Sequence, residues 1–265
     1  MQILTGILFA FWISWGAFHF RALTRSGAAA AFALGSVIYA AGGLIWSIPL
    51  LLFFLTSNFW SRFRAERKRG VSSSEPAGRK AVQVLANGGM SMILGLITIL
   101  YPDQNWTWPA YLGSLAAVNA DTWATELGSR HSTAPRLITT GSRVPPGTSG
   151  AVSPRGSLAA LSGAALIACL VFVQPPLSGA IAGFFTLTLS GFWGSLVDSL
   201  LGAAWQGVYF CHGCQIETEK HPDHHCGTRT RIIRGKKWLT NDVVNFFAST
   251  AGAGSAVVLQ LIILR

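Results

Sequence analysis

The chain has 265 residues, of which 51% are hydrophobic and only 11% charged, under half the roughly 25% charged content of a soluble domain. That composition, with a mean hydropathy of +0.44, excludes an ordinary soluble globular protein and predicts one all-α, polytopic membrane domain over residues 1–265. The net charge of +10 does not signal a nucleic-acid partner, because the basic residues sit between long apolar runs, where they act as topology signals.

A spanning helix needs about 20 mostly apolar residues. The first such run covers residues 2–18. It lacks the basic n-region and the small-residue cleavage site of a signal peptide, so it reads as a spanning helix. Residues 28–59 are too many for one upright helix, and Gly42, Gly43 and Pro49 predict a hairpin of two short helices. Further runs at 82–100, 108–127, 157–173, 179–205 and 242–264 bring the expected count to eight. Between them lie a basic loop (62–80), a Gly/Ser/Thr-rich loop (129–156) and a Cys/His loop (206–239). With eight segments every Lys and Arg except Arg265 falls on one side, while the connections 101–107 and 174–178 carry none. The basic loops are then cytoplasmic, at the plasma membrane, and both termini lie outside.

Four carboxylates, Asp121, Glu126, Asp198 and Asp242, lie in or at the edge of apolar segments. Such a group costs about 2.5–3.5 kcal/mol at membrane depth, so it normally lines a polar cavity. In Asn119-Ala-Asp121-Thr-Trp-Ala-Thr-Glu126-Leu-Gly128, helical spacing puts Asp121, Thr125 and Gly128 on one face. Glu126 points elsewhere, and Arg130 at i+4 is its expected partner. Gly191, Ser195, Asp198 and Gly202 share another face, where the glycines alone would indicate close helix packing. Asn241, Asp242 and Asn245 open the last segment, either as caps or as metal or phosphate ligands, and Asn87 opens the third run. The loop Gly147-Thr148-Ser149-Gly150, with Ser153, Arg155 and Gly156, suits a backbone nest for phosphate. Oxygen donors of this kind suit Mg²⁺ bridging substrate phosphates. Intramembrane carboxylates also fit a transporter or lipid flippase, and a lipid cytidylyltransferase would need the same groups.

Cys211-x-x-Cys214 followed by His221, His224, His225 and Cys226 supplies donors for a tetrahedral Zn²⁺ site. Cys211, Cys214, His224 and Cys226 are the expected ligands, with His221 and His225 competing for the histidine place and free thiols as the alternative. Cys169 stands alone in an apolar run and is expected to pack there as a small hydrophobe.

From about residue 79 to 250 these motifs resemble the integral-membrane family that includes phytyl-phosphate kinase and transmembrane protein nineteen. The carrying residues are Arg79 with Gln83 to Gly88, the Asn119–Gly128 segment, the Gly147–Gly150 loop with Ser153 and Gly156, Gly194 to Gly202, and Asn241 to Asn245. The resemblance implies phosphorylation of an isoprenyl monophosphate to its diphosphate. It is distantly similar to CTP-dependent lipid kinases, so CTP or ATP is the expected donor. In that reading Asp121, Asp198 and Asp242 hold Mg²⁺, with Asn241 and Asn245 completing the cage. Thr148, Ser149 and Arg155 then position phosphates, joined by Asn87, Asn119 and Ser195, with Arg79 assisting. The Cys/His loop is not a feature of the whole family, which makes its expected zinc structural.

Overall fold

The computed structural model describes residues 2–67, 78–128 and 134–264. Much of the basic loop lies outside the described residues, as does Arg130, the expected partner of Glu126. Among the described residues the fold is mostly helical. Its helices are α1 (Gln2–His19), α2 (Arg25–Arg67), α3 (Ala81–Leu100), α4 (Thr107–Gly128), α5 (Pro154–Ala168), α6 (Ala180–Ala204) and α7 (Asn241–Ile263). A 3-10 turn, Cys169–Phe172, extends α5. Five helical stretches, in α2, α3, α5, α6 and α7, are long and apolar enough to cross a membrane.

The α2 helix breaks at Gly42 and Gly43. Gly43 has φ 62° and ψ −145°, a conformation essentially confined to glycine. Its two halves double back on each other. Near the start of α2, Thr24 N–H donates to Arg79 O, and near its end Arg62 Nη2 donates to Phe20 O. Since α2 starts six residues after α1 ends, the Arg62 contact brings both ends of α2 to the same end of α1. Pro49 lies inside the second half and is not the break point.

The bundle closes around α4, which is buried throughout residues 107–120. Helices in lipid gain little from apolar burial alone and associate through close packing of small residues and buried hydrogen bonds. Both devices occur here. A Cβ at Gly113 would lie 2.5 Å from Gly252 O on α7, and one at Gly191 2.7 Å from Ala116 Cβ and 2.8 Å from Ala164 Cβ. Ser91 and Ser114 share a buried 2.8 Å hydrogen bond. Large apolar side chains such as Phe11, Trp12, Leu55 and Ile181 point outward, forming the lipid-facing surface.

Two small antiparallel sheets depart from the all-α expectation. In the Gly/Ser/Thr-rich loop β1 (Arg136–Leu137) pairs with β2 (Ala151–Val152). In the Cys/His loop β3 (Val208–Cys211) lies between β4 (Ile216–Thr218) and β5 (Thr230–Arg234). Strands of two to five residues are too short to leave a period in the sequence. Cys169 also departs from expectation: it opens the 3-10 turn and is exposed, not packed inside.

Candidate active site

The glycine and alanine contacts that join α4, α6 and α7 lead directly to the acidic residues. A Cβ at Gly194 would lie 2.4 Å from Ala117 Cβ and 2.8 Å from Ala248 O, so three helices touch at this level. One turn further on α4 stands Asp121, four residues after Ala117; one turn further on α6 stands Asp198, four after Gly194. Counting back from Ala248 on α7 leads to Asn245 and Asn241. The packing stripe becomes a polar stripe where the helices leave the core. There Asp121, Ser195, Asp198 and Asn241 line a cavity of about 190 Å³.

The Gly147–Gly150 loop forms another wall of this cavity, together with Ser153. Thr148 closes a turn, its N–H and Oγ1 both donating to Pro145 O, at 3.2 and 2.8 Å. Gly150 has φ +79°, and a Cβ there would lie 2.4 Å from Ala203 N at the end of α6. Only glycine satisfies both the left-handed backbone and that approach. Ser153 caps α5, accepting from Gly156 N at 3.1 Å.

A side-chain relay ties the loop to the Cys/His ribbon. Ser149 Oγ donates to Gln206 Oε1 at 2.9 Å, and Gln206 Nε2 donates to Glu219 Oε1 at 2.7 Å. Gln206 is only 2% exposed. Arg234 locks the arrangement from behind, donating to Ala203 O at 2.8 Å and to Ser149 O at 3.4 Å. Glu219 also lines the cavity. Burial raises its pKa above the ordinary carboxylate value, Asp242 raises it further, and the Gln206 amide opposes both.

Among the described residues no Lys or Arg lines this cavity. Asp198 Oδ2 is shut away from solvent with no hydrogen-bond partner. An orphaned buried carboxylate oxygen beside further carboxylates is the setting in which a cation is bound. The fit to Mg²⁺ is by donor type and not by a ready-made cage, since the described carboxylates do not converge as a three-ligand group. Mg²⁺ commonly uses one or two carboxylates and takes its remaining oxygens from phosphate and water.

Several residues singled out from the sequence lie elsewhere. Asn119 is wholly buried between helices, accepting from Thr56 Oγ1 at 3.0 Å and donating to Gly163 O at 2.7 Å. Its amide is committed to joining α2, α4 and α5. Arg79 and Asn87 line a separate, largely apolar cavity among α1, α2 and α3, of about 80 Å³. There the Arg79 guanidinium lies 5.8 Å from the Phe53 ring centroid. Its pKa is lowered, chiefly by burial, with Glu126 opposing. Glu126 accepts from Ser61 Oγ at 3.0 Å. Arg155 is exposed in the first turn of α5, and Asp242 and Asn245 are half-buried on α7 just beyond the cavity lining. The cap of α7 is Thr240, which accepts from Val243 N, so neither Asn241 nor Asp242 serves as that cap.

In the ribbon, donor atoms of Cys211, Cys214, His224 and Cys226 all lie within 4.8 Å of one another. Hydrogen bonding to Thr228 and then His224 pulls the Cys226 thiol down to about 5. The adjacent Cys226 pushes Cys214 up to about 11.

Residues 8–253 match the integral membrane protein family DUF92. The chain belongs to this family. Relatives within reach include Protein PGR of Arabidopsis thaliana, 30% identical over 92% of this chain and 91% of that protein. The uncharacterized membrane protein MJ0933 of Methanocaldococcus jannaschii is 34% identical over 70% of this chain and 76% of its own. Protein VTE6, chloroplastic, of Arabidopsis thaliana is 24% identical over 92% of this chain and 67% of that protein. No solved structure matches the chain. The family resemblance read from the motifs is therefore shown, and with it an integral membrane protein.

Sequence reasoning missed Glu219, Gln206 and Arg234. Glu219 looked like a solvated charge in a polar loop. Only the pairing of Tyr209 with Thr218 brings the next residue back to the cavity, and nothing local in the sequence encodes that register.

Proposed function

We propose that this protein is a nucleotide-dependent phosphotransferase that converts an isoprenyl monophosphate of the phytyl type to its diphosphate at the cytoplasmic membrane face. The observation that carries the reading is a single cavity shared by Asp121, Asp198 and the Gly147–Gly150 loop at the polar end of three packed helices. The family resemblance supports the same chemistry. Eight spans, counting α2 as two, would put the acidic cavity and the basic loops on the cytoplasmic side. CTP or ATP serves as donor.

In this reaction the bond between the donor's γ-phosphorus and its bridging oxygen breaks. A new bond forms from an oxygen of the lipid monophosphate, and a nucleoside diphosphate leaves. The acceptor is already anionic at neutral pH, so no strong general base is needed. Positioning and charge neutralisation supply the catalysis. Bound at Asp121 and Asp198, Mg²⁺ would neutralise the donor's phosphate oxygens. Backbone N–H groups of the loop orient those phosphates, the Thr148 and Ser149 hydroxyls being engaged by Pro145 O and Gln206 Oε1. The isoprenoid tail lies between helices rich in Gly and Phe.

The test uses protein purified in detergent, phytyl monophosphate, Mg²⁺, and CTP or ATP labelled at either the α or the γ position. Label entering the lipid from γ only supports the kinase. Entry from α marks a cytidylyltransferase, and no transfer across a panel of prenyl monophosphates sinks the enzyme reading and brings a transporter or flippase forward.

A further inference from the structure

We infer that Cys211, Cys214, His224 and Cys226 form a tetrahedral Zn²⁺ site that braces the β3–β4 hairpin, whose other end presents Glu219 to the acidic cavity. Cys211 Sγ lies 3.5 Å from Cys226 Sγ, and His224 Nδ1 lies 3.5 Å from Cys214 Sγ and 3.4 Å from Cys226 Sγ. With Zn–S near 2.3 Å and Zn–N near 2.0–2.1 Å, the edges of a tetrahedron come to about 3.5–3.8 Å. A disulfide needs its sulfurs at about 2.05 Å, so the Cys211–Cys226 separation is that of co-ligands and not of a bonded pair.

The backbone is shaped for this arrangement. Gln215 N–H closes the Cys211–Cys214 turn by donating to Cys211 O at 2.8 Å, with Gln215 itself in the left-handed region at φ 56°. A Cβ at Gly213 would lie 2.4 Å from Thr228 Oγ1 and 3.4 Å from Cys226 Sγ, so only glycine leaves the second hook its room. The competing histidines are engaged elsewhere. His221 stacks on Tyr209, 4.6 Å between centroids and nearly parallel, and His225 sits against Lys220. Cys214, His224 and Cys226 are not held by a surrounding apolar core, and a shared ion explains why four such donors converge.

The metal is structural by position. Cys211 ends β3, and Glu219 follows Thr218 of β4, which pairs with Tyr209. At about 3.3 Å per residue the zinc lies roughly 10 Å from Glu219 along the hairpin. That is too far to touch a substrate in the cavity and close enough to fix the register that brings Glu219 there. The zinc assignment does not depend on the phosphotransfer reading, and its failure is read in metal content, not in activity.

Metal analysis of the full-length protein in detergent should find about one zinc per chain. Cys169→Ser should keep that zinc, and the pair Cys211→Ser with Cys226→Ser should lose it. Should the double variant fail to fold, wild type answers alone. Alkylation read by mass spectrometry should reach Cys214 and Cys226 only after a chelator. Refilling with Co²⁺ should give the visible absorption of a tetrahedral thiolate complex. Monodisperse wild type without zinc, immediate alkylation of Cys214 and Cys226, or a Cys211–Cys226 disulfide would each overturn the assignment.

Discussion

Replacing Gln206 by leucine, a residue of similar bulk, isolates the relay that joins the phosphate loop to the ribbon. The side chain is 2% exposed and makes two bonds, from Ser149 Oγ at 2.9 Å and to Glu219 Oε1 at 2.7 Å. A neutral bond contributes about 0.5–1.5 kcal/mol and one to a charged group about 1.5–3. The expected loss is therefore about 2–4 kcal/mol, or roughly 4–16 °C in melting temperature for a chain of this size. The pH dependence sharpens the test. The folded pKa of Glu219 is raised by burial, so its protonated form favours the fold. That contribution is full below the ordinary Glu pKa and is lost as pH rises through the raised folded value. Gln206 opposes the shift, so Gln206→Leu should destabilise more at neutral pH than at pH 4. Adding Glu219→Gln removes the carboxylate charge and should recover part of the loss. Thermal unfolding of wild type, both single variants and the double variant gives the coupling directly. Additive effects, or a Gln206→Leu protein as stable as wild type at every pH, would refute the relay.

Three further outcomes follow from the packing. Gly150→Ala should disable the loop, because a side chain there meets Ala203 at 2.4–2.5 Å. Gly147→Ala meets nothing within 4 Å and should cost only the left-handed penalty of about 1–2 kcal/mol; nucleotide binding by the two variants distinguishes them. Gly113→Val should prevent assembly of α4 on α7, whereas Gly254→Ala, with open space at its Cβ, should change stability by no more than about 1 kcal/mol; the yield of monodisperse protein reports both. Asn119→Leu breaks two interhelical bonds, for a loss of about 1–3 kcal/mol at membrane values of roughly 0.6–1.7 each. Transfer activity per folded molecule should be unchanged, and a selective loss of nucleotide binding would return Asn119 to the site.

The helices were readable because each writes an apolar run long enough to see, and the turn in α2 because Gly42–Gly43 offers a conformation few other residues adopt. The carboxylates Asp121 and Asp198 were readable for the opposite reason, since lipid gives such groups no other place. Asn119 belongs to the same motif as Asp121 yet serves a different end. Polarity in a membrane helix marks an interhelical tie as readily as a ligand, and only the neighbours of α2 and α5 decide between them. Arg79 and Asn87 share a family motif with the site residues, but Arg79, just before α3, and Asn87, on it, line the apolar cavity. Glu219 depends on a strand register set by pairings of three or four residues, below what periodicity resolves.

The most direct measurement follows transfer of γ-label to phytyl monophosphate across a Mg²⁺ titration, in wild type and in Asp198→Asn. Wild type should require Mg²⁺. The variant, near in shape but without the charge, should lose about 10²–10³ in rate, the scale of removing one electrostatic group from a buried site. Wild-type transfer by Asp198→Asn with the same Mg²⁺ requirement would contradict the assignment of this cavity as the site of phosphoryl transfer.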